Sequence, residues 1–302
     1  MTDYSYNPVL MRMRKDAPAG EGIHGYFENQ DGKKLFYRMW EAPVAAKVVV
    51  CLHGAFAHGE FFSLVADRLV PRGITTAVFD YQGHGRSEGR RGDVMHFADW
   101  HRDILSFLAC MRSQIHATLP VFLLGESMGG GLAAGISALY PELRVSGFIL
   151  FSPAVKFKAG KFSEIALRAI PYALAHVFAP GRAVVDITGD PSDGITDPLH
   201  QEYDGTDPLR FQKASPRYLL ELNKAVKLAY TKGASATKRP VIILQGLNDT
   251  SIDVSGVRDY FQRLDGGGNK KLVLVKGAKH SILDDPAFLP HWQDVFDWLD
   301  SH

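Results

Sequence analysis

Apolar residues gather in short unbroken runs along this chain: VVVCL (48–52), TTAVFD (75–80), VFLL (121–124), GFILF (147–151), VIIL (241–244) and KLVLV (271–275). Runs this compact predict six buried strands. Most gaps between them carry apolar residues at helical spacing, as in FFSLVADRLV, FADWHRDILSFLACM, VRDYFQRL and the terminal HWQDVFDWL. Alternating strands and helices over this length predict a mostly parallel central sheet flanked by helices on both faces, an α/β architecture. Ahead of these runs, GIHGYFEN and KLFYRMWE flank Gln30-Asp31-Gly32-Lys33. Asp-Gly between two such segments signals an antiparallel hairpin.

One gap breaks the rhythm. Between GFILF and VIIL lie roughly 90 residues, far more than a crossover needs, so this stretch must hold substructure of its own. The expected organisation is a core of residues 1–153 and 238–302 with an inserted helical cap, or lid, at 154–237. Charge is segregated within the cap. Lys156, Lys158, Lys161, Arg168 and Arg182 face only Glu164 in its first part, whereas residues 186–207 hold Asp186, Asp190, Asp193, Asp197, Glu202, Asp204 and Asp207 with no Lys or Arg. The span FSEIALRAIPYALAHVFAP is apolar enough to bury a face, but Pro171 should kink it or divide it into two short helices.

Composition adds exclusions. The 34 Lys and Arg against 33 Asp and Glu leave no field that would recruit nucleic acid. Cys51 and Cys110 sit in apolar runs and outside any CxxC pair, which argues against a disulfide framework or a zinc site. The N-terminal MTDYSYNPVLMRMRKDAPAG lacks the charged start and apolar core of a signal peptide, so a cytoplasmic location is expected.

The chemistry centres on Gly125-Glu126-Ser127-Met128-Gly129. This G-x-S-x-G motif follows the strand VFLL and precedes GGGLAAGISAL, the strand-to-helix context of a nucleophile elbow. Gly125 and Gly129 would clear room for the sharp turn, while Gly130, Gly131, Ala133 and Ala134 would let the helix lie close to the sheet. A phosphate-binding Walker loop would need Lys and Ser or Thr after its last glycine; here Leu132 follows Gly131. A dinucleotide fingerprint would need its first glycine in the turn rather than inside the helix.

A serine hydroxyl becomes nucleophilic when an imidazole takes its proton, and that imidazole needs an acid to fix its tautomer. Asp249 follows the strand at 241–244 and His280 follows the last strand, so both fall beyond C-terminal strand ends in the order serine, acid, histidine. Asp253 and His291 are the alternates, each at or within a following helix. The tetrahedral intermediate needs two backbone donors, assigned to the amides of Met128 and Ala55. In the loop His53-Gly54-Ala55-Phe56, Gly54 permits close approach and His53 is read as structural. Gly54, Phe56 and Glu126 are expected to line the substrate site. The remaining histidines, including His58, His84, His96 and His101, are taken as surface or supporting groups.

The ordered pieces HGAFAHGEFF (53–62), DYQGHGRSEG (80–89), GESMGGGLA (125–133), Tyr203 to Leu209 ending in DPL, QGLNDTSID (245–253) and GAKHS (277–281) span nearly the whole chain. Together they resemble the α/β-hydrolase fold, and within it the monoacylglycerol lipase and lysophospholipase-like serine hydrolases. The resemblance implies Ser127, Asp249 and His280 as a triad, Ala55 and Met128 as oxyanion donors, and a cap that shapes an acyl-chain tunnel. Many such proteins carry histidine where this chain has Glu126, and the cap resembles the family least.

The expected activity is hydrolysis of carboxylic esters of lipids, of monoacylglycerol or lysophospholipid type, through an acyl-enzyme and with neither metal nor organic cofactor. A thioesterase, an aminopeptidase or an acyltransferase on the same triad is the alternative; a noncatalytic binding module would predict a damaged triad. The expected partner is a small acyl ester or lipid, with peripheral contact to an anionic lipid surface through Lys156, Lys158 and Lys161.

Overall fold

The computed structural model describes residues 6–14, 16–114, 118–160 and 180–302. Ile23–Glu28 (β1) and Lys34–Trp40 (β2) pair antiparallel with Glu28 opposite Lys34, forming the hairpin that the Asp-Gly signal predicts. Gly32 takes φ 74°, and the Asn29 side chain accepts from the amides of Asp31 and Lys33, so the turn is closed from within. Further strands are Lys47–Leu52 (β3), Ile74–Phe79 (β4), Val121–Glu126 (β5), Gly147–Phe151 (β6), Val185–Asp186 (β7), Lys213–Ala214 (β8), Val241–Gly246 (β9) and Lys270–Val275 (β10). The main sheet runs β1-β2-β4-β3-β5-β6-β9-β10, antiparallel through β2 and β4 and parallel beyond.

Among the described residues, the α-helices of six residues or more are Pro8–Met13 (α1), Ser63–Leu69 (α2), Phe97–Gln114 (α3), Met128–Leu139 (α4), Pro198–Thr206 (α5), Pro216–Leu228 (α6), Val254–Arg263 (α7) and Trp292–Asp300 (α8). Successive side chains of β3 enter opposite layers. Val48, Val50 and Leu52 pack with Trp100 and Phe107 of α3 and Leu132 of α4, while Val49 and Cys51 pack with Leu69 of α2 and Trp298 of α8. Helices on both faces are why residues 48–52 of this strand are apolar without interruption, and each fully buried side chain of this kind contributes about 1.5–3 kcal/mol. KLVLV departs from its expected burial. As β10 it is the last strand of the sheet, paired with β9 alone, and only Val275 is fully buried.

The insertion between β6 and β9 holds the two-residue ribbon β7–β8 as well as helices. Asp197 caps α5 by accepting from the amides of Leu199 and His200, and Ser215 caps α6 by accepting from Tyr218. Leu219 and Leu222 carry α6 into the same core layer as α4. After α6 a π-turn at Ala229–Gly233 meets α4 so closely that a Cβ on Gly233 would lie 2.1 Å from the Ala134 carbonyl oxygen. Lys161, Arg168 and the Pro171 kink fall in 161–179, outside the described residues. Among the described residues, no helix is long and apolar enough to cross a membrane.

Candidate active site

A sharp turn between β5 and α4 presents Ser127. It stands at φ 51° and ψ −115°, a conformation that side-chain-bearing residues adopt only when their surroundings hold them there. Three backbone bonds do so. The Ser127 amide donates to the Phe151 carbonyl at 3.0 Å, and its own carbonyl accepts from Gly131 and Ala154 at 2.9 Å each. A Cβ on Gly125 would lie 2.4 Å from the Gly129 carbonyl oxygen, and one on Gly129 would lie 2.0 Å from that of Leu52. Gly125 thus clears the turn, whereas Gly129 admits the end of β3, from which the loop carrying Gly54 and Ala55 departs.

Two loops beyond the C-terminal ends of β9 and β10 converge on the serine. His280 Nε2 lies 2.9 Å from Ser127 Oγ, and Nδ1 lies 2.8 Å from Asp249 Oδ2. Asp249 is buried, and its Oδ1 accepts from the amides of Ser251 and Ile252 at 2.7 and 2.8 Å. Burial pushes its carboxyl up, but His280 and these donors outweigh that and hold it below the usual carboxylate range. An ionised Asp249 can only accept, so Nδ1 carries the ring proton and Nε2 is left to accept from the Ser127 hydroxyl.

A residue the sequence reading passed over completes this support: Gln245, at the end of β9, donates from Nε2 to Asp249 Oδ2 at 2.9 Å. The alternates are engaged elsewhere. Asp253 caps α7 and meets Lys156 Nζ at 3.1 Å, and His291 is bound to Asp294.

Across the serine, a Cβ on Gly54 would lie 3.5 Å from that of Ser127, so the loop after β3 passes directly over the nucleophile position. Ala55 and Phe56 line the adjoining cavity, with Phe56 at φ 65°. Met128 opens α4, where an amide has no intrahelical acceptor and can point at a ligand. His53 is fully buried, and desolvation lowers it to about 3, so it is neutral. Its Nδ1–H donates to the Gly54 carbonyl and Nε2 accepts from the Tyr81 amide, which matches its structural assignment.

Three of the histidines taken as surface or supporting groups, His58, His84 and His101, are buried. His84 Nε2 meets the Tyr218 hydroxyl at 3.0 Å, and that hydroxyl lies 3.6 Å from Met128 Sδ, tying α6 to the elbow. His58 Nε2 lies 2.6 Å from Asp207 Oδ2 at the end of α5. Ligand-type atoms of His58, Glu60 and Asp207 lie within 4.8 Å of one another, but His58 and Asp207 already bind each other, so the cluster is built around an ion pair. The one sequence cue was the segment from Tyr203 to Leu209, which ends on this contact.

Ser127, His280, Gly54, Phe56 and Glu126 open into one cavity of about 400 Å³. Phe61, Ile187, Leu219, Leu222 and Ile252 supply apolar wall, and Asp190, Asp193 and Asp204 supply polar wall.

A serine raised at the end of a central parallel strand, with acid and histidine on later strand ends and an insertion over them, defines an α/β-hydrolase. The chain belongs to the family described as serine aminopeptidase S33, whose model matches residues 43–287. It is 27% identical over 277 residues to a monoacylglycerol lipase of Mycolicibacterium smegmatis, covering 91% of this chain and 96% of that one. It is 29% identical over 256 residues to the monoglyceride lipase of Homo sapiens, covering 84% and 82%. Its fold superposes with a TM-score of 0.82 and 25% identity on a soluble variant of Saccharomyces cerevisiae monoglyceride lipase in complex with a substrate analog, covering 93% and 96%.

Proposed function

We propose that this protein is a serine hydrolase that cleaves carboxylic esters of lipids, of monoacylglycerol or lysophospholipid type, with Ser127, His280 and Asp249 as its triad. The observation that carries the reading is the continuous line Ser127 Oγ, His280 Nε2, His280 Nδ1, Asp249 Oδ2 at 2.9 and 2.8 Å, opening into an apolar-walled cavity. The lipase names of the relatives support the substrate class.

As Ser127 Oγ bonds to the ester carbonyl carbon, its proton passes to His280 Nε2, and the oxygen's new charge is met by the amides of Ala55 and Met128. The tetrahedral intermediate collapses when the alcohol oxygen leaves with the proton held by His280. Water, activated by the same imidazole, then releases the fatty acid. Gly54, Phe56 and Glu126 line the path, and residues 154–237 form the cap, of which 187–210 and the α6 residues Leu219 and Leu222 contribute cavity wall. Peripheral lipid contact through the cap rests on Lys156, Lys158 and Lys161; Lys156 also pairs with Asp253 at 3.1 Å, Lys158 donates to the Asp249 carbonyl at 3.2 Å, and Lys161 lies outside the described residues.

The family's description favours one second reading, an aminopeptidase on the same triad. Monoacylglycerols and p-nitrophenyl esters of increasing chain length, set beside aminoacyl anilides, separate the two. Ester turnover that rises with chain length and negligible anilide cleavage supports the lipase reading; the reverse preference overturns it.

A further inference from the structure

Beside the nucleophile stands a carboxyl group that the steps above leave idle. Glu126 closes β5, precedes Ser127 and lines the same cavity. Its Oε1 is shut off from solvent without a hydrogen-bond partner among the described residues. The loop after β10 brings His280, Asp284 and the Ile282 amide, which donates to the carboxyl; α5 brings His200. His200 is itself bound through Nδ1 to Asp284 Oδ1 at 2.9 Å, with its ring stacked on Phe61. Glu126, His200 and His280 thus line one cavity, with Asp284 bound to His200.

Burial pushes Glu126 up to about 7 against the pull of His200 and His280. An ordinary glutamate is ionised throughout the neutral range, but this one changes charge in the range where imidazoles do. An ionised Glu126 favours the protonated form of a nearby imidazole, and a neutral one does not. Where two such groups interact strongly, their protons leave in two steps that belong to the pair and not to either group.

We propose that Glu126 is a positioning residue that acts through His280, its charge setting how strongly the imidazole holds the proton taken from Ser127. This rests on the reading of His280 as the base. When that proton reaches Nε2, the imidazolium has Asp249 bound at Nδ1 and Glu126 in the wall of the same cavity. A charged Glu126 strengthens proton capture and slows delivery to the leaving alcohol; a neutral one does the opposite.

The test is the pH dependence of kcat/KM for a p-nitrophenyl ester with the full chain and with Glu126→Gln, which keeps the shape and an acceptor for the Ile282 amide. The acid limb should move to lower pH by about half to one unit, so that on that limb the variant is roughly three- to tenfold more active relative to its own plateau. Glu126→His should move the limb at least as far. Superimposable profiles would overturn the proposal.

A second readout needs no turnover: the NMR titration of the His280 imidazole in Ser127→Ala, with and without Glu126→Gln. Its midpoint should fall by the same amount, and identical midpoints would overturn the coupling. If the midpoint moves while His280→Ala retains activity in the parent chain, the coupling stands and the assignment of His280 as base fails.

Discussion

His58 and Asp207 bind one another in the interior at 2.6 Å, joining the loop that follows β3 to the C-terminal end of α5. This contact fixes the part of the insertion that walls the cavity against the loop that carries Ala55. Removing one partner of a buried ion pair strands the other. Asp207→Ala should therefore cost about 3–5 kcal/mol, read as a fall in the urea midpoint.

The same pair gives stability a pH dependence with a definite sign. Burial lowers His58, but Asp207 outweighs it and raises His58 above its ordinary value, so this contribution is full below about 6.5 and fades as pH rises through the folded value. Burial raises Asp207, but His58 outweighs it and holds Asp207 low, so its share is present above about 4 and is lost as pH falls through the depressed value. The pair should stabilise most between those limits. Thermal midpoints of wild type and Asp207→Ala should differ most near pH 5 to 6 and converge toward pH 9; a constant gap would contradict this.

Asp249→Asn keeps the shape of the site but lets the side chain donate toward Nδ1, reversing the tautomer His280 needs. We expect kcat to fall on the order of 10⁴-fold with the fold retained. A loss within tenfold, on a protein with unchanged circular dichroism, would remove Asp249 from the triad.

Gln245→Leu tests the support beneath the acid. Without the Nε2 donor, Asp249 loses one of the hydrogen bonds that favour its charged form, so its carboxyl should titrate higher. The expected outcome is a lower kcat and an acid limb displaced upward in pH, opposite in direction to Glu126→Gln. No displacement would mean that the two backbone donors suffice.

Gly129→Ala would set a methyl 2.0 Å from the Leu52 carbonyl oxygen. Backbone must move to admit it, so stability should fall by about 1–3 kcal/mol and the loop through Ala55 should shift. The expected kinetic signature is a kcat loss larger than the stability change explains, with ester KM little altered.

The sequence made the central strands legible because strands buried on both faces are written as uninterrupted apolar runs, and Asp31-Gly32 marked the hairpin. Ser127, Asp249 and His280 could be named because each follows a strand in the chain order that open α/β sheets impose. Contacts between distant segments were not legible. His58 and Asp207 are 149 positions apart, and nothing local distinguishes a histidine that will be buried with an aspartate from one on the surface. KLVLV looked like any buried run because its pattern does not reveal that only one strand lies beside it. Glu126 stood out as a departure within its motif, but its neighbours His200, His280 and Asp284 come from α5 and the loop after β10, more than 70 residues away in sequence.

The most direct test of the triad is mass-spectrometric mapping of the protein after reaction with a long-chain fluorophosphonate. The expected result is a single stoichiometric adduct on the peptide that contains Ser127, complete loss of ester hydrolysis, and no labelling of Ser127→Ala. An adduct at another residue, or full ester hydrolysis by the labelled protein, would contradict it.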